Sequence, residues 1–374
     1  MKSQDKKIKI LHVTQSYGGV QTYILNIILN SDKQKYEFAI LCPESELSRI
    51  CTERGIKVYC VNIKRSPHFL DIISLMRIIA VVIKYNPDIL HVHSAKAGVL
   101  GRIASFVTRK KVIFTPNAFS YLGFTGFKRL LFRNIERSLR YLTDVLLAVS
   151  DSEKARAINE LNYRTENIKV IFNAIDCESY NKIRDYRIIN TVGMMGRLIH
   201  QKNPEMFINI ALKMHAEYPQ LKFLLLGEGY QDFLREDIFS IIAKHKSEDF
   251  IKILKWGHYN IENFYNEVDV FLLTSRFEGL SFALLEAMGN GIPSIATNVD
   301  GNKDVIESGV NGFLVEENDL NDVVEKLSLL IRNQNLREEI GVAARKRINE
   351  LFNIKTNIKN IDNLYYYICS NKIH

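Results

Sequence analysis

The chain has 374 residues, 47% hydrophobic and 25% charged, with 7 prolines and a net charge of +8. This composition suits a soluble globular protein long enough for two domains, and it excludes a disordered, collagen-like or low-complexity chain. Five cysteines, at positions 42, 51, 60, 177 and 369, form no CxxC pair, which speaks against a zinc ribbon or a disulfide framework and for reduced thiols.

The start "MKSQDKKIKILHVTQSYGG" is basic, but its apolar run is too short for a secretory leader, so it reads as the lead-in to a first strand. In the first half "IKILHV", "YEFAILC", "IKVYCV", "DILHVH", "KVIFT", "DVLLAV" and "IKVIF" read as strands. Between them lie stretches of helical period such as "VQTYILNIILN" and "LMRIIAVVIKY". The most apolar segment, "FLDIISLMRIIAVVIKY", is broken by Arg77 and too short to span a bilayer; a soluble, cytoplasmic protein is expected. After the polar stretch "IFNAIDCESYNKIRDYRIIN" the pattern restarts with "TVGMMG". It continues through "KFLLLG", "IKILKW", "VDVFLL", "IPSIAT" and "GFLV", and "KTNIKNIDNLYYYICS" follows as a separate helix.

Strands alternating with helices predict parallel sheets covered on both faces. The expected fold class is therefore α/β, with two facing doubly wound, Rossmann-like domains. Residues 1–180 form the first and residues 190–352 the second, and a terminal helix over 353–374 packs back on the first. Such sheets bind ligands outside the carboxyl ends of their strands, near helix N-termini. Charge is unevenly shared. Residues 1–180 hold 27 Lys and Arg against 16 Asp and Glu, and residues 181–374 hold 23 against 26. The basic half calls for an anionic partner, a nucleic acid or an acidic membrane surface.

Three loops carry candidate chemistry. Gly18 and Gly19 follow the first strand and open a helix, where backbone amides approach an anion; a tight turn is the plain alternative. The full GxGxxG fingerprint is missing, which weighs against a nicotinamide enzyme. In "MMGRLIHQKNPEMFI" Arg197 and Lys202 precede a helix begun at Asn203-Pro204, a cation pair suited to a diphosphate unless the loop is merely solvated. In "TSRFEGLSFALLEAMGNGIPSIAT" Glu278 sits in a Gly-flanked loop at a strand end. Glu286 lies about a turn into the helix that Ser281 would cap. Their eight-residue spacing says nothing, since Glu228/Glu236 and Glu317/Glu325 repeat it. A carboxylate among Leu284, Leu285, Ala287 and Met288 needs donors. Vicinal sugar hydroxyls would serve, as would a structural ion pair with Arg276.

"GRLIHQK" followed by "EGLSFALLEAMGNGIPSIATNVDG" resembles the donor half of the family 4 retaining glycosyltransferases, which have the GT-B fold. The resemblance extends over nearly the whole chain, through "GGVQTYILNI", "DILHVHSAKAGVLGRIAS", "FTPNAFSYLG", "LLAVSDSEKA", "VIFNAID" and "GNKDVIESGVNGFLV". It implies a transferase of the capsule, O-antigen or exopolysaccharide type that moves one sugar from a nucleotide-sugar, commonly UDP-linked, to a glycan or lipid-linked acceptor. By that resemblance Arg197 and Lys202 bind the donor diphosphate, Glu286 the ribose hydroxyls and Glu278 the transferred sugar. The backbone at Gly279, Leu280, Gly18 and Gly19 completes the phosphate cradle, and Gly257 and His258 line the base. No cofactor and no metal are implied, and no DxD-like pair stands in a suitable loop.

The match departs from the family where many relatives carry a His near the reacting sugar, in a "TPH" motif. Here Asn117 occupies that place, and an amide cannot exchange a proton near neutral pH. His93 and Lys96 are other acceptor-side candidates, His93 equally a structural histidine, while His91 packs within its strand. Ala174 stands where relatives have Gly. In "FTGFKRLLFRNIERSLRYL" Phe127, Leu130, Leu131, Ile135, Leu139 and Leu142 share one helical side, with Lys128, Arg129, Arg133, Arg137 and Arg140 interleaved. That stripe either packs on the sheet or docks on an anionic membrane, which would make the protein peripheral on the inner face of the cell membrane. A UDP-sugar 2-epimerase of the same fold and a non-catalytic sugar-nucleotide-binding subunit are the alternatives. Nucleic acid is not expected, because no reading motif accompanies the charge.

Overall fold

The structure, a computed structural model, describes residues 7–15, 18–63, 69, 71–180, 184–227 and 232–370. Ser16 and Tyr17 of the first loop and Glu228 lie outside them, as does the side chain of Glu236. The chain divides into two compact units, Met1–Asn173 with Ile354–His374, and Ala174–Asn353.

The first unit runs β1 (Ile8–Val13), α1 (Gly19–Asn30), β2 (Tyr36–Cys42), α2 (Glu46–Glu53), β3 (Lys57–Cys60), α3 (Asp71–Tyr85) and β4 (Ile89–His93). It continues with α4 (Ala95–Thr108), β5 (Lys111–Thr115), α5 (Gly126–Leu139), β6 (Val145–Ala148), α6 (Asp151–Asn159) and β7 (Ile168–Val170). Its sheet is parallel in the order β3-β2-β1-β4-β5-β6-β7. Strands covered on both faces need no polar alternation, so β6 (VLLA) and the FAILC end of β2 are continuous apolar runs. On one face Leu11, Val13, Leu90 and Val92 join a core with Ile78 and Val82 of α3 and Leu100 and Ala104 of α4.

The other face is unusual. His12 and His91 are register partners in β1 and β4, and His93 lies two residues on, so the three rings share that face. All three are fully buried.

The second unit holds β8 (Thr191–Met195), α7 (Pro204–Glu217), β9 (Lys222–Leu226), α8 (Asp232–Lys244), β10 (Ile251–Leu254), α9 (Ile261–Glu267) and β11 (Val270–Leu273). Then come α10 (Phe282–Gly289), β12 (Ser294–Thr297), α11 (Asn302–Val305), β13 (Phe313–Val315), α12 (Leu320–Arg332) and α13 (Gln334–Leu351). Its parallel sheet has the order β10-β9-β8-β11-β12-β13. Helix α14 (Ile354–Ser370) returns to the first unit and packs on α1 and β4. There the Tyr365 hydroxyl meets His91 Nδ1 at 2.9 Å, and Lys111 Nζ donates to the Ile368 carbonyl at 3.1 Å.

One local device recurs at the amino ends of the sheets. Asp88, Asp144 and Asp269 each stand just before a strand and accept the backbone N–H of a neighbouring segment. The donors are Lys9 (2.8 Å), Val112 (2.7 Å), and both Asn190 (2.8 Å) and Thr191 (2.9 Å). These bonds set the stagger of β1 against β4, β5 against β6 and β8 against β11. The strand order reverses between β1 and β4 in one unit and between β8 and β11 in the other. Those two positions are where a doubly wound sheet opens a crevice at its carboxyl end.

Candidate functional site

In the second unit the reversal brings together two loops that the sequence separates by some 76 residues. Gly196–Asn203 follows β8 and Thr274–Ser281 follows β11. The Thr274 hydroxyl is shared between the carbonyls of Lys202 and Asn203, each at 3.0 Å. The Arg276 N–H donates to the Gln201 carbonyl at 2.8 Å, and Gln201 Nε2 donates back to the Phe277 carbonyl at 3.1 Å. Across this seam Lys202 Nζ sits 2.5 Å from Glu278 Oε1, the two side chains only 14% and 8% exposed. Arg197 is half-buried on the same loop as Lys202. Gly227 after β9 and Gly301 after β12 allow the close approach: a Cβ on the first would overlap the Gly196 carbonyl oxygen, and on the second the Gly279 carbonyl oxygen.

Helix starts differ along the carboxyl ends of the sheets, and α5 too begins, at Thr125, without a side-chain cap. Helices α2, α6, α9, α12 and α13 are closed by side chains of Ser45, Ser150, Asn260, Asp319 and Asn333. The four helices that follow β1, β4, β8 and β11 begin at Gly18, Ser94, Asn203 and Ser281 without any side-chain cap. Ser281 holds the N-cap position expected for it, but its hydroxyl makes no capping bond. First-turn amides have no intrahelical acceptor, and an uncapped helix start leaves them for water or an anion. Gly279 and Leu280, both buried, lead directly into α10.

Glu286 is not paired with Arg276, which corrects one alternative drawn from the sequence. Arg276 instead bonds Glu317 (3.1 Å), Asn318 (3.3 Å) and Asn203 (2.9 Å). Glu286 Oε2 accepts from the Tyr265 hydroxyl of α9 at 2.8 Å. The residue keeps some surface, yet burial of its carboxyl pushes the pKa up to about 7, against the pull of the Tyr265 bond. A group titrating there changes charge near neutral pH. Tyr265 was not foreseen as a partner, because an aromatic within "ENFYNEV" reads as core at helical spacing.

Gly257 and His258 lie on the exposed turn after the edge strand β10, two strands from β8, with Gly257 at φ +80°. Among the described residues they share no hydrogen bond with the Lys202 or Glu278 loops.

In the first unit Gly18 takes φ 65° and Gly19 opens α1. Asn117 follows β5 with φ 51°, a left-handed conformation in which Asn is favoured, and Ala118 continues at φ 78°. The strained pair is anchored by Glu153, whose two oxygens accept the N–H groups of Ala118 (2.8 Å) and Val149 (2.9 Å). Lys96 is held 2.5 Å from Asp71 at the start of α3. Ala174 has no positive φ, so the missing Gly costs nothing there.

His93 has no exposed surface, so in this conformation it cannot touch an acceptor. Its Nε2 shares a 2.9 Å hydrogen bond with His12 Nδ1, and His91 bonds Thr115 as well as Tyr365. Burial holds His12 down to about 3 and lowers His91 and His93 well below the usual range, with their neighbouring rings adding to the effect on His91 and His93. All three are neutral at pH 7. Their nitrogens lie within 4.8 Å of one another, a spacing compatible with a metal ion. The chemistry fits poorly. His91 spends both ring nitrogens on Thr115 and Tyr365, and His12 Nδ1 and His93 Nε2 are spent on each other, so the rings are already engaged as a hydrogen-bonded cluster.

Most of the apolar side of α5 is left exposed and does not pack on the sheet. Phe127 is 77% exposed, Leu130 and Leu131 44% and Ile135 40%. The helix is held beside that stripe, where buried Glu136 receives both arms of Arg102 at 2.6 and 3.0 Å and Leu139, expected within the stripe, turns inward instead. Helix α3 shows the same inversion, with Ile72, Ile73, Met76 and Ile83 exposed. Among the described residues no helix is long and apolar enough to cross a membrane.

Residues 183–347 match the family described as glycosyl transferases group 1, and residues 17–179 match glycosyltransferase family 4. The O-antigen biosynthesis glycosyltransferase WbnH of Escherichia coli is 30% identical over 92% of this chain and 96% of its own. A UDP-Gal:alpha-D-GlcNAc-diphosphoundecaprenol alpha-1,3-galactosyltransferase of Escherichia coli is 28% identical over 100% of both chains. Among solved structures, HepE of Anabaena in complex with UDP and glucose superposes with a TM-score of 0.83, over 96% of this chain and 100% of its own, at 19% identity. The apo lipopolysaccharide outer core galactosyltransferase WaaB does so with a TM-score of 0.70, over 97% and 99%, at 20% identity. At such identities the likeness is one of fold.

Proposed function

This chain belongs to the family 4 glycosyltransferases of capsule and O-antigen synthesis, and we propose that it moves one hexose from a UDP-sugar, with retention, to a lipid-linked oligosaccharide. The observation that carries the donor reading is the Lys202–Glu278 pair at the β8/β11 reversal, beside the uncapped start of α10. The amides at Gly279 and Leu280, with Arg197 and Lys202, receive the diphosphate. As the glycosidic bond breaks, negative charge grows on the leaving UDP, and fixed cations and amides stabilise that charge without reorganising. Glu278, aligned by Lys202, faces the transferred sugar. Glu286 accepts from the vicinal ribose hydroxyls with the capacity that Tyr265 leaves it.

Asn117 supplies no base. The acceptor hydroxyl therefore attacks on the face the UDP leaves, its oxygen bonding the anomeric carbon while its proton passes to a departing phosphate oxygen. That route conserves configuration and needs neither an enzymic base nor a covalent intermediate. Gly18 and Gly19 offer a second amide-lined anion seat, and Asn117 and Lys96 are the acceptor-side contacts. The exposed apolar residues of α5 and α3, with Lys128, Arg129, Arg137, Arg77 and Lys84 among them, suit an anionic bilayer in which such an acceptor resides.

The test is transfer of labelled sugar from a panel of UDP-sugars to diphosphoundecaprenol-linked GlcNAc. Formation of a product with retained configuration, lost in Lys202→Ala, is expected. Epimerisation of a UDP-sugar without acceptor, or donor binding without any transfer, would overturn the proposal.

A further inference from the structure

Glu286 stands on α10, a helix of 8 residues, and takes its hydrogen bond from Tyr265 on α9, a helix of 7. Helices of two turns have little stability of their own. Neither has a basic residue in its last turn to meet the exposed carbonyls. One side chain from the segment ahead of β8 gathers both ends. Arg184 donates from Nη2 to the Tyr265 carbonyl (2.6 Å), from Nη1 to the Val268 carbonyl (2.6 Å) and from Nε to the Asn290 carbonyl (3.3 Å). The first two close α9 and the third closes α10. A cation at a helix carboxyl end is favoured by the helix dipole, and bonds from a charged donor are the strong ones.

The second helix is tied down further. Arg345 Nη2 shares the Asn290 carbonyl at 2.8 Å, and Asn290 Nδ2 turns back to the Glu286 carbonyl at 2.9 Å. A planar guanidinium thus helps to set the separation of α9 and α10, together with the Tyr265 hydroxyl, which lies 3.2 Å from the Ala283 carbonyl of α10. That is the separation across which the Tyr265 hydroxyl reaches Glu286 at 2.8 Å.

We propose that Arg184 is a positioning residue for the sugar donor, acting through Tyr265 and Glu286 and touching no substrate itself. The proposal rests on the reading that Glu286 holds the ribose. When the clamp is lost, α9 and α10 part and the Tyr265 bond lengthens. Glu286 then loses both its orientation and the donor that favours its ionised form.

The experiment compares Arg184→Met, Arg184→Lys, Tyr265→Phe and Glu286→Gln with the combined Arg184→Met/Glu286→Gln protein. Two quantities are read: the Kd of UDP-galactose by calorimetry, and the titration midpoint of the Glu286 carboxyl by ¹³C NMR in the unliganded protein. Arg184→Met is expected to raise Kd about tenfold, the worth of one bond to a charged group. It should also move the Glu286 midpoint upward, as Tyr265→Phe does, and add nothing to Glu286→Gln. Arg184→Lys should recover part of both effects, since an ammonium cannot serve three carbonyls in one plane.

Unchanged Kd and midpoint in Arg184→Met, while Glu286→Gln weakens binding, would overturn the proposal. So would a loss of affinity that is fully additive with Glu286→Gln and leaves the midpoint in place, the mark of a merely structural arginine. A different pattern separates the underlying reading: if Glu286→Gln binds the donor normally while Arg184→Met still moves the midpoint, the ribose role fails and the clamp stands. Should Arg184→Met not fold, Arg184→Lys carries the same two readouts.

Discussion

Donor affinity should depend on pH through Glu286. Burial pushes its carboxyl up to about 7, and the ribose hydroxyls need the ionised form as acceptor. Ionisation falls from about nine-tenths to about one-tenth between about pH 8 and pH 6, so Kd for a UDP-sugar should rise about tenfold, or ~1.4 kcal/mol. A UDP-sugar suits the test because its diphosphate diester does not titrate in this range. Calorimetry of UDP-galactose in buffers of different ionisation enthalpy would count protons released on binding, about half a proton near pH 7. Glu286→Gln should bind more weakly and lose the pH dependence. The stability effect has the opposite direction. A carboxyl raised in the folded state contributes stability that is complete below its unfolded value of 4.5 and is lost as pH rises through about 7. The unliganded second unit should therefore weaken towards alkaline pH while donor binding strengthens. PH-independent binding with no proton release would refute the reasoning, as would a Glu286→Gln protein that keeps the wild-type pH profile.

Lys202→Ala should cut kcat by about 10²–10³, the usual loss for one group that stabilises charge on the leaving oxygen, read in the transfer assay. The buried trio His12, His91 and His93, all depressed in the folded state, should make the first unit acid-labile. Their contribution is whole above about pH 6.5 and falls by up to ~1.4 kcal/mol per pH unit for each ring below it; urea unfolding at about pH 7 and 5 measures this, and His12→Phe should flatten the slope. Gly227→Ala should destabilise the second unit by ~1–3 kcal/mol, visible in thermal melting, because its methyl overlaps the Gly196 carbonyl. Flotation with phosphatidylglycerol vesicles should retain the protein at low salt, and a Phe127→Ser/Leu131→Ser protein should lose that retention while still binding UDP-galactose.

The strands were legible because parallel strands buried on both faces are uninterrupted apolar runs, and all those expected stand where "IKILHV" through "GFLV" put them. Legible too were the loops at their carboxyl ends, since Gly, Arg, Lys and Glu interrupt such runs for few other reasons. Periodicity could show that α5 has an apolar side but not which side is covered. Arg102, reaching Glu136 from another helix, made that choice. Strand order is likewise absent from a local pattern. Only the reversals between β1 and β4 and between β8 and β11 bring His12 to His93 and Lys202 to Glu278. The sequence by itself determined which elements form and which residues stand at their ends, because those follow from contacts within a few residues. Which of those residues meet was decided by the tertiary structure, through the order and stagger of strands far apart in the chain.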